Sequence, residues 1–350
     1  MADKHFDFLQ LLNKFIFDLE RGRHLQKNGT RLKSGSIQNY KSMRTVVEKF
    51  ILYKSFELRI ADLSRCTKQQ FKSEQLYWKK FHQKISDFMY RDCDHYDNYV
   101  GATFKLIRSF LNYLHKEKGI DIKEFHKKFH VVSEQIPFVT LNPEQLNFLI
   151  YDKDFENGLP KRLKTPKDIF VFGCTVGLRI SDLMLLSNAN LERVFGNYYL
   201  KVQSKKTHVI TKIKLPDYAI EILQRYNRQK TVFPSYHLFT LNKHFREIAE
   251  LAGWTYIVPK KRQKRGIQKT LRQINKQVDF RFCDLITTHT MRRTAITTLL
   301  NLGMPEHMVR KISGHSAGSK EFFRYVQYAQ TFLDQETDKV HLKLRNQYLN

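Results

Sequence analysis

Long apolar runs are missing from this chain of 350 residues: no stretch approaches the roughly 20 consecutive apolar residues of a membrane-spanning helix. The start, Met1-Ala2-Asp3-Lys4, lacks the apolar core of a signal peptide. No membrane partner is therefore expected, and the chain reads as soluble and cytoplasmic. Cysteine is scarce too. Cys66, Cys93, Cys174 and Cys283 form no C-x-x-C pair, which leaves neither a zinc knuckle nor a disulfide framework, so buried free thiols are expected. Acidic residues run short: 34 Asp plus Glu face 61 Lys plus Arg, for a net charge of +27 and a pI near 9.8. Such an excess points to a polyanionic partner, with nucleic acid first.

The length fits two domains and a small appendage. Phe6, Phe8, Leu9, Leu12, Phe15, Ile16 and Leu19 recur at helical spacing, and Gly22 ends that run. A basic, turn-rich stretch follows to an expected N-cap at Ser36. We expect 1–33 to be an N-terminal helix and basic linker, and 34–132 a helical domain with segments near 36–50, 76–89 and 99–118. Pro137 and Pro143 interrupt the helical period. Beyond them lies an α+β domain at 140–335, with helices at 143–151 and 165–186. Short strands at 191–195, 198–202 and 209–215 form a small antiparallel sheet there. Residues 336–350 are a tail, with Leu342 and Leu344 among charges. The fold class is thus multidomain and mostly α.

Several residues able to do phosphate chemistry lie in the second domain. Arg179 stands in Gly177-Leu178-Arg179-Ile180-Ser181-Asp182-Leu183, where a helix start favours anions. A salt bridge to Asp182 is the plainer account. His289 and Arg292 share one helical face, with Ala295, Ile296, Leu299 and Leu300 toward the core. Gly303 stops that helix, Pro305 suits the start of the next, and Gly314-His315 ends it. Tyr325 follows ten residues after His315. Around 259–276 the chain is basic with no acidic residue. Lys260, Lys261, Arg262, Lys264 and Arg265 there read either as a solvated loop or as an arm on DNA phosphates.

Together these motifs, in this order, resemble the tyrosine recombinases, or phage-type integrases, of bacterial mobile elements. The likeness covers about 140–335, and more loosely 36–130 as a core-binding domain. It implies a C-shaped clamp on double-stranded DNA, a homotetramer working on two duplexes, and a place on the bacterial nucleoid. Arg179 takes the place of the first catalytic arginine, His289 and Arg292 those of the H-x-x-R box, and His315 that of the later histidine. Tyr325 takes the nucleophile's place and Tyr328 is its rival. Lys206, in the Ser204-Lys205-Lys206-Thr207 turn, matches the hairpin lysine, with Lys205 as its neighbour and candidate phosphate contact. Many members of the family have one residue fewer between the histidine and the tyrosine.

The chemistry fits that set. A phenol with a pKa of about 10 is only about one part in a thousand ionised at pH 7, so it needs a base or a positive field. Arg179 and Arg292 would hold the non-bridging oxygens with one further bond from His315. Lys206 would protonate the departing oxygen, and His289 would take the phenolic proton or orient the phosphate. No metal and no cofactor are expected, and the resemblance implies a 3′-phosphotyrosyl link as the product. A noncatalytic DNA-binding protein and a type IB topoisomerase are the alternatives.

Overall fold

The computed structural model describes residues 5–26, 28–205, 209–226, 231–273, 277–316 and 318–347. They form two units, one of Met1–Ile136 with Lys261–Leu271, the other of Pro137–Lys260 with Arg272–Asn350. Among the described residues no helix is long and apolar enough to cross a membrane.

In the first unit, strand β1 (His5–Asp7) leads into helix α1 (Phe8–Glu20), whose N-cap Asp7 accepts the Gln10 N–H at 2.6 Å. Helix α1 is no separate appendage. The α1 stripe of Phe8, Leu12, Phe15, Ile16 and Leu19 is buried in the unit's main core, Phe15 lying 4.5 Å from the Tyr113 ring. Helix α2 (Ser34–Lys54) starts before Ser36, behind Lys33 and without a side-chain cap. Strand β2 (Arg59–Ala61) pairs antiparallel with β1. Helix α3 (Lys68–Asp87) begins well ahead of residue 76, because Thr67 and Gln70 form a capping box over two polar turns. With α4 (Asp97–Glu117) these helices enclose Phe50, Phe81, Phe104 and Phe110.

The second unit opens with α5 (Pro143–Tyr151), α6 (Lys153–Gly158), α7 (Lys161–Val176) and the single turn α8 (Ile180–Leu183). Strands β3 (Leu191–Val194), β4 (Asn197–Gln203) and β5 (Ile210–Lys214) form an antiparallel sheet in that order, Leu200 facing Ile213. Helices α9 (Asp217–Arg225) and α10 (Leu238–Leu251) follow. Lys167 pairs with Glu156 at 2.9 Å and Arg225 with Asp168 at 3.0 Å, fastening α6, α7 and α9. After the hairpin of β6 (Lys260–Lys264) and β7 (Ile267–Leu271) come α11 (Thr288–Asn301), α12 (Glu306–Ser313) and α13 (Lys320–Gln347). The helix carrying Tyr325 does not stop at residue 335, since nothing from Lys320 to Gln347 is Gly or Pro.

Within the basic 259–276 stretch, Lys260–Lys264 and Ile267–Leu271 form the two strands of a hairpin. Arg265 (φ 55°) and Gly266 (φ 75°) make a two-residue turn with both central residues at positive φ, the geometry that suits a tight hairpin. Both turn N–H groups donate to the buried Asp97 carboxylate, at 2.7 and 2.9 Å, which also accepts the Tyr90 hydroxyl at 2.7 Å. Glu134 accepts from Arg262 Nε at 2.8 Å and from the Gln263 N–H. Lys264 pairs with Asp94, and Arg265 with Asp87. Arg262, Lys264 and Arg265, expected on phosphates, therefore face carboxylates of their own unit. Lys261 is exposed, and Lys260 Nζ sits 4.4 Å from the Phe280 ring centre.

Replacing Asp97 with Ala strips the two turn N–H groups and the buried Tyr90 hydroxyl of their acceptor. A loss of about 3 kcal/mol is expected. Trp78 lies in the first unit and Trp254 in the second, so denaturant unfolding followed by Trp78 fluorescence in a Trp254→Phe background reads this loss directly.

Candidate active site

Helix α7 was expected to run to residue 186. It ends instead at Gly177, whose left-handed backbone (φ 62°) turns the chain away. A Cβ at Gly177 would lie 3.2 Å from Ala295 Cβ, and one at Gly173 only 2.5 Å from Met291 Sδ. The two glycines let α11 lie close along α7, and that approach brings Arg292 to the end of α7.

Arg292 is 6% exposed. Its guanidinium donates to the Gly177 carbonyl at 2.8 Å and to the Ser313 carbonyl at 2.7 Å, and lies 3.1 Å from His315 Nε2. Both carbonyls sit at helix C-termini, of α7 and α12, where the helix dipole favours a cation. Burial, with the Arg179 charge nearby, pushes the Arg292 pKa down to about 10, which leaves it charged at neutral pH.

His315 follows Gly314, the left-handed residue that ends α12 (φ 63°). Burial and the charges of Arg292, Arg179 and Arg310 push its pKa down to about 3, so the imidazole is neutral. Ser313 Oγ donates to the Val309 carbonyl at 2.7 Å and lies 2.8 Å from His315 Nδ1. This network assigns the proton to Nδ1, leaving Nε2 to accept from Arg292.

Arg179 precedes α8 and is half-buried. The expected salt bridge to Asp182 is replaced by a relay: Arg179 Nη1 donates to Ser204 Oγ at 3.0 Å, and Ser204 donates to Asp182 Oδ2 at 3.3 Å. Asp182 Oδ1 also accepts the Lys205 N–H at 3.3 Å. Asp182 and Ser204 thus pin the stem of the β4–β5 hairpin to the site, a part that sequence reasoning missed. The carboxylate within the Arg179 motif was its only signal. Lys205 is exposed, while Lys206 lies outside the described residues.

Tyr325 lies on the second turn of α13 and is 9% exposed, its ring centre 5.9 Å from that of His315. Tyr328 is 41% exposed and stacks on Phe138. The fold therefore brings Arg179, Arg292, His315 and Tyr325 together. His289 stands exposed on the first turn of α11, one turn before Arg292. Positive groups gathered around a phenol and a neutral imidazole suit the binding of an anion whose charge grows during reaction.

Residues 155–331, half of the chain, match the phage integrase family. The chain belongs to that family. Among solved structures, this chain is similar to a lambda integrase dimer bound to a COC′ core site, at 12% identity and TM-score 0.61, over 93% of this chain and 77% of that one. It is similar to the Tn1549 transposon integrase in complex with a circular intermediate DNA, at 17% identity and TM-score 0.55, over 91% and 94%. It is also similar to the XerH site-specific recombinase bound to a palindromic difH substrate, at 12% identity and TM-score 0.56, over 91% and 80%. These likenesses carry the tyrosine-recombinase fold. No curated protein matches this chain.

The depressed His315 pKa has a consequence for stability. The unfolded chain takes up this proton near pH 6.5, the folded one only near 3. Stability is therefore full above about pH 6.5 and falls as pH drops toward about 3. Unfolding of the second unit, followed through Trp254 in a Trp78→Phe background, should show a shallower acid dependence in His315→Gln. An unchanged slope would contradict the assignment.

Proposed function

We propose that this integrase is a site-specific DNA recombinase that cleaves and rejoins strands through Tyr325. The observation that carries this reading is the buried phenol of Tyr325 beside His315, Arg292 and Arg179. Tyr325 Oη attacks phosphorus, forming the phosphotyrosyl bond as the bond to the 5′-oxygen breaks. Arg179 and Arg292 hold the non-bridging oxygens, whose charge grows in the transition state. His315 adds a bond from Nε2, which requires its other tautomer. Ser313 Oγ is placed to permit that change by turning its proton from Val309 to Nδ1. Lys206, which falls between β4 and β5 in the sequence, protonates the leaving oxygen, and the phenolic proton passes to His289. The link stores the bond energy, so rejoining needs no external energy source.

The partner is double-stranded DNA. Exchange between two duplexes cuts four strands and each chain supplies one nucleophile, so the working assembly is a homotetramer. Lys205 and Lys261, both exposed, are candidate phosphate contacts.

The test uses a pool of randomised nicked duplexes, because the target is read by base contacts outside the cleavage chemistry. Wild-type protein should give denaturant-resistant protein–DNA adducts, and Tyr325→Phe none. Arg292→Lys loses the fork and should slow adduct formation by about 10² to 10³. Adducts that persist in Tyr325→Phe would sink the assignment. Affinity without any cleavage would favour a binding protein, and resealing without joint products between two marked duplexes would favour a topoisomerase.

A further inference from the structure

Arg310, in the last turn of α12, touches the helix that carries Tyr325. Its guanidinium lies 4.6 Å from the ring centre of Phe322 and 4.9 Å from that of Phe323, both in the first turn of α13. Glu306, one turn earlier on α12, pairs with it at 3.1 Å. The Arg310 carbonyl accepts the His315 N–H at 3.0 Å, so one residue meets both the histidine and the tyrosine helix. Phe322 is fully buried. Its ring centre is 5.5 Å from that of His315 and 6.4 Å from that of Tyr325.

We infer that Arg310 is a positioning residue: its stack on Phe322 and Phe323 sets the rotation of α13, and with it where the Tyr325 ring stands beside His315. The same end of α13 packs through an apolar stripe of Phe322, Tyr325 and Ala329 against Ile296, Leu300 and Val309. Apolar burial is non-directional, so such a stripe tolerates small rotations of the helix. Successive residues project about 100° apart around a helix, and a guanidinium that meets both rings therefore accepts only one rotation. Arg310 does not act on the phenol itself. It acts through Phe322, the ring that neighbours Arg310, His315 and Tyr325 alike. A nucleophile carried on a helix depends on such a seat, because a misplacement of about 1 Å can cost about a hundredfold in rate. This inference rests on the reading of Tyr325 as nucleophile, but the first part of its test does not.

Full-length protein carrying 3-fluorotyrosine at 325 should show one narrow ¹⁹F resonance. Arg310→Met should shift and broaden it, Phe323→Leu should do the same to a smaller degree, and Arg310→Lys, which keeps a cation over the rings, should restore part of the wild-type line. This arm needs no DNA, so it judges the inference even if no strand is cut. The Arg310 charge also bears on His315. Phe323 is 49% exposed, so Phe323→Leu thins the stack while leaving that charge and the core in place. In single-turnover cleavage, Arg310→Met should be slower by about tenfold to a hundredfold and Phe323→Leu by less, with affinity for an arbitrary duplex unchanged. If Arg310→Met fails to fold, Phe323→Leu and Arg310→Lys carry the same decision. An unchanged ¹⁹F line in folded variants would overturn the inference. So would a slow Arg310→Met beside a Phe323→Leu with wild-type rate and line, which would leave Arg310 acting only through its charge on His315. A loss of duplex affinity with the cleavage rate intact would also overturn it and make Arg310 a phosphate contact instead.

Discussion

The second unit is organised around one buried cation held by the ends of two helices. Arg292 sits where α7 and α12 both present C-terminal carbonyls, and its fork satisfies one from each. A guanidinium is suited to this: it stays charged when desolvated, and its fixed donors reach two acceptors and a third neighbour at once. Removing a buried charge from water is costly unless every donor finds a partner, so the neighbouring elements have little freedom. Gly177 must turn left-handed to aim its carbonyl, α11 must lie close on α7, and the α12 terminus must stop at Gly314 so that His315 reaches the cation. The group that fixes the packing is thus also the one whose charge would meet a phosphate.

Charge in the first unit obeys a different constraint. Net charge acts at a distance, but the partner of each side chain is settled locally. Four carboxylates, Asp87, Asp94, Asp97 and Glu134, capture the hairpin that a count of lysines and arginines would assign to DNA. The hairpin's two backbone N–H groups matter as much as its cations, because the buried Asp97 takes both.

Local pattern made much of this legible. The alternation and turn residues at 191–215 yield the three-stranded sheet, and the helical period places His289 and Arg292 on one helix, although not the burial of Arg292. The Arg179, Arg292, His315 and Tyr325 group was legible only through the order of its motifs, since these residues meet through packing across 146 positions of chain (325 − 179). What escaped depends on partners distant in sequence. Gly177 reads as an ordinary helical residue until Ala295 and Arg292 are beside it. The hairpin at 260–271 needs acidic partners more than 120 positions away, at Glu134 and before. The start of α3 was missed for a simpler reason: a Thr67–Gln70 cap precedes turns with little apolar content.

The most direct measurement is the position of the covalent bond itself. Adducts trapped on nicked DNA, digested with nuclease and trypsin, would be sequenced by tandem mass spectrometry. The residual nucleotide phosphate is expected on Tyr325, the phenol that packs beside His315. A phosphate mapped to Tyr328, or to any residue outside the group around Arg292, would contradict the central claim.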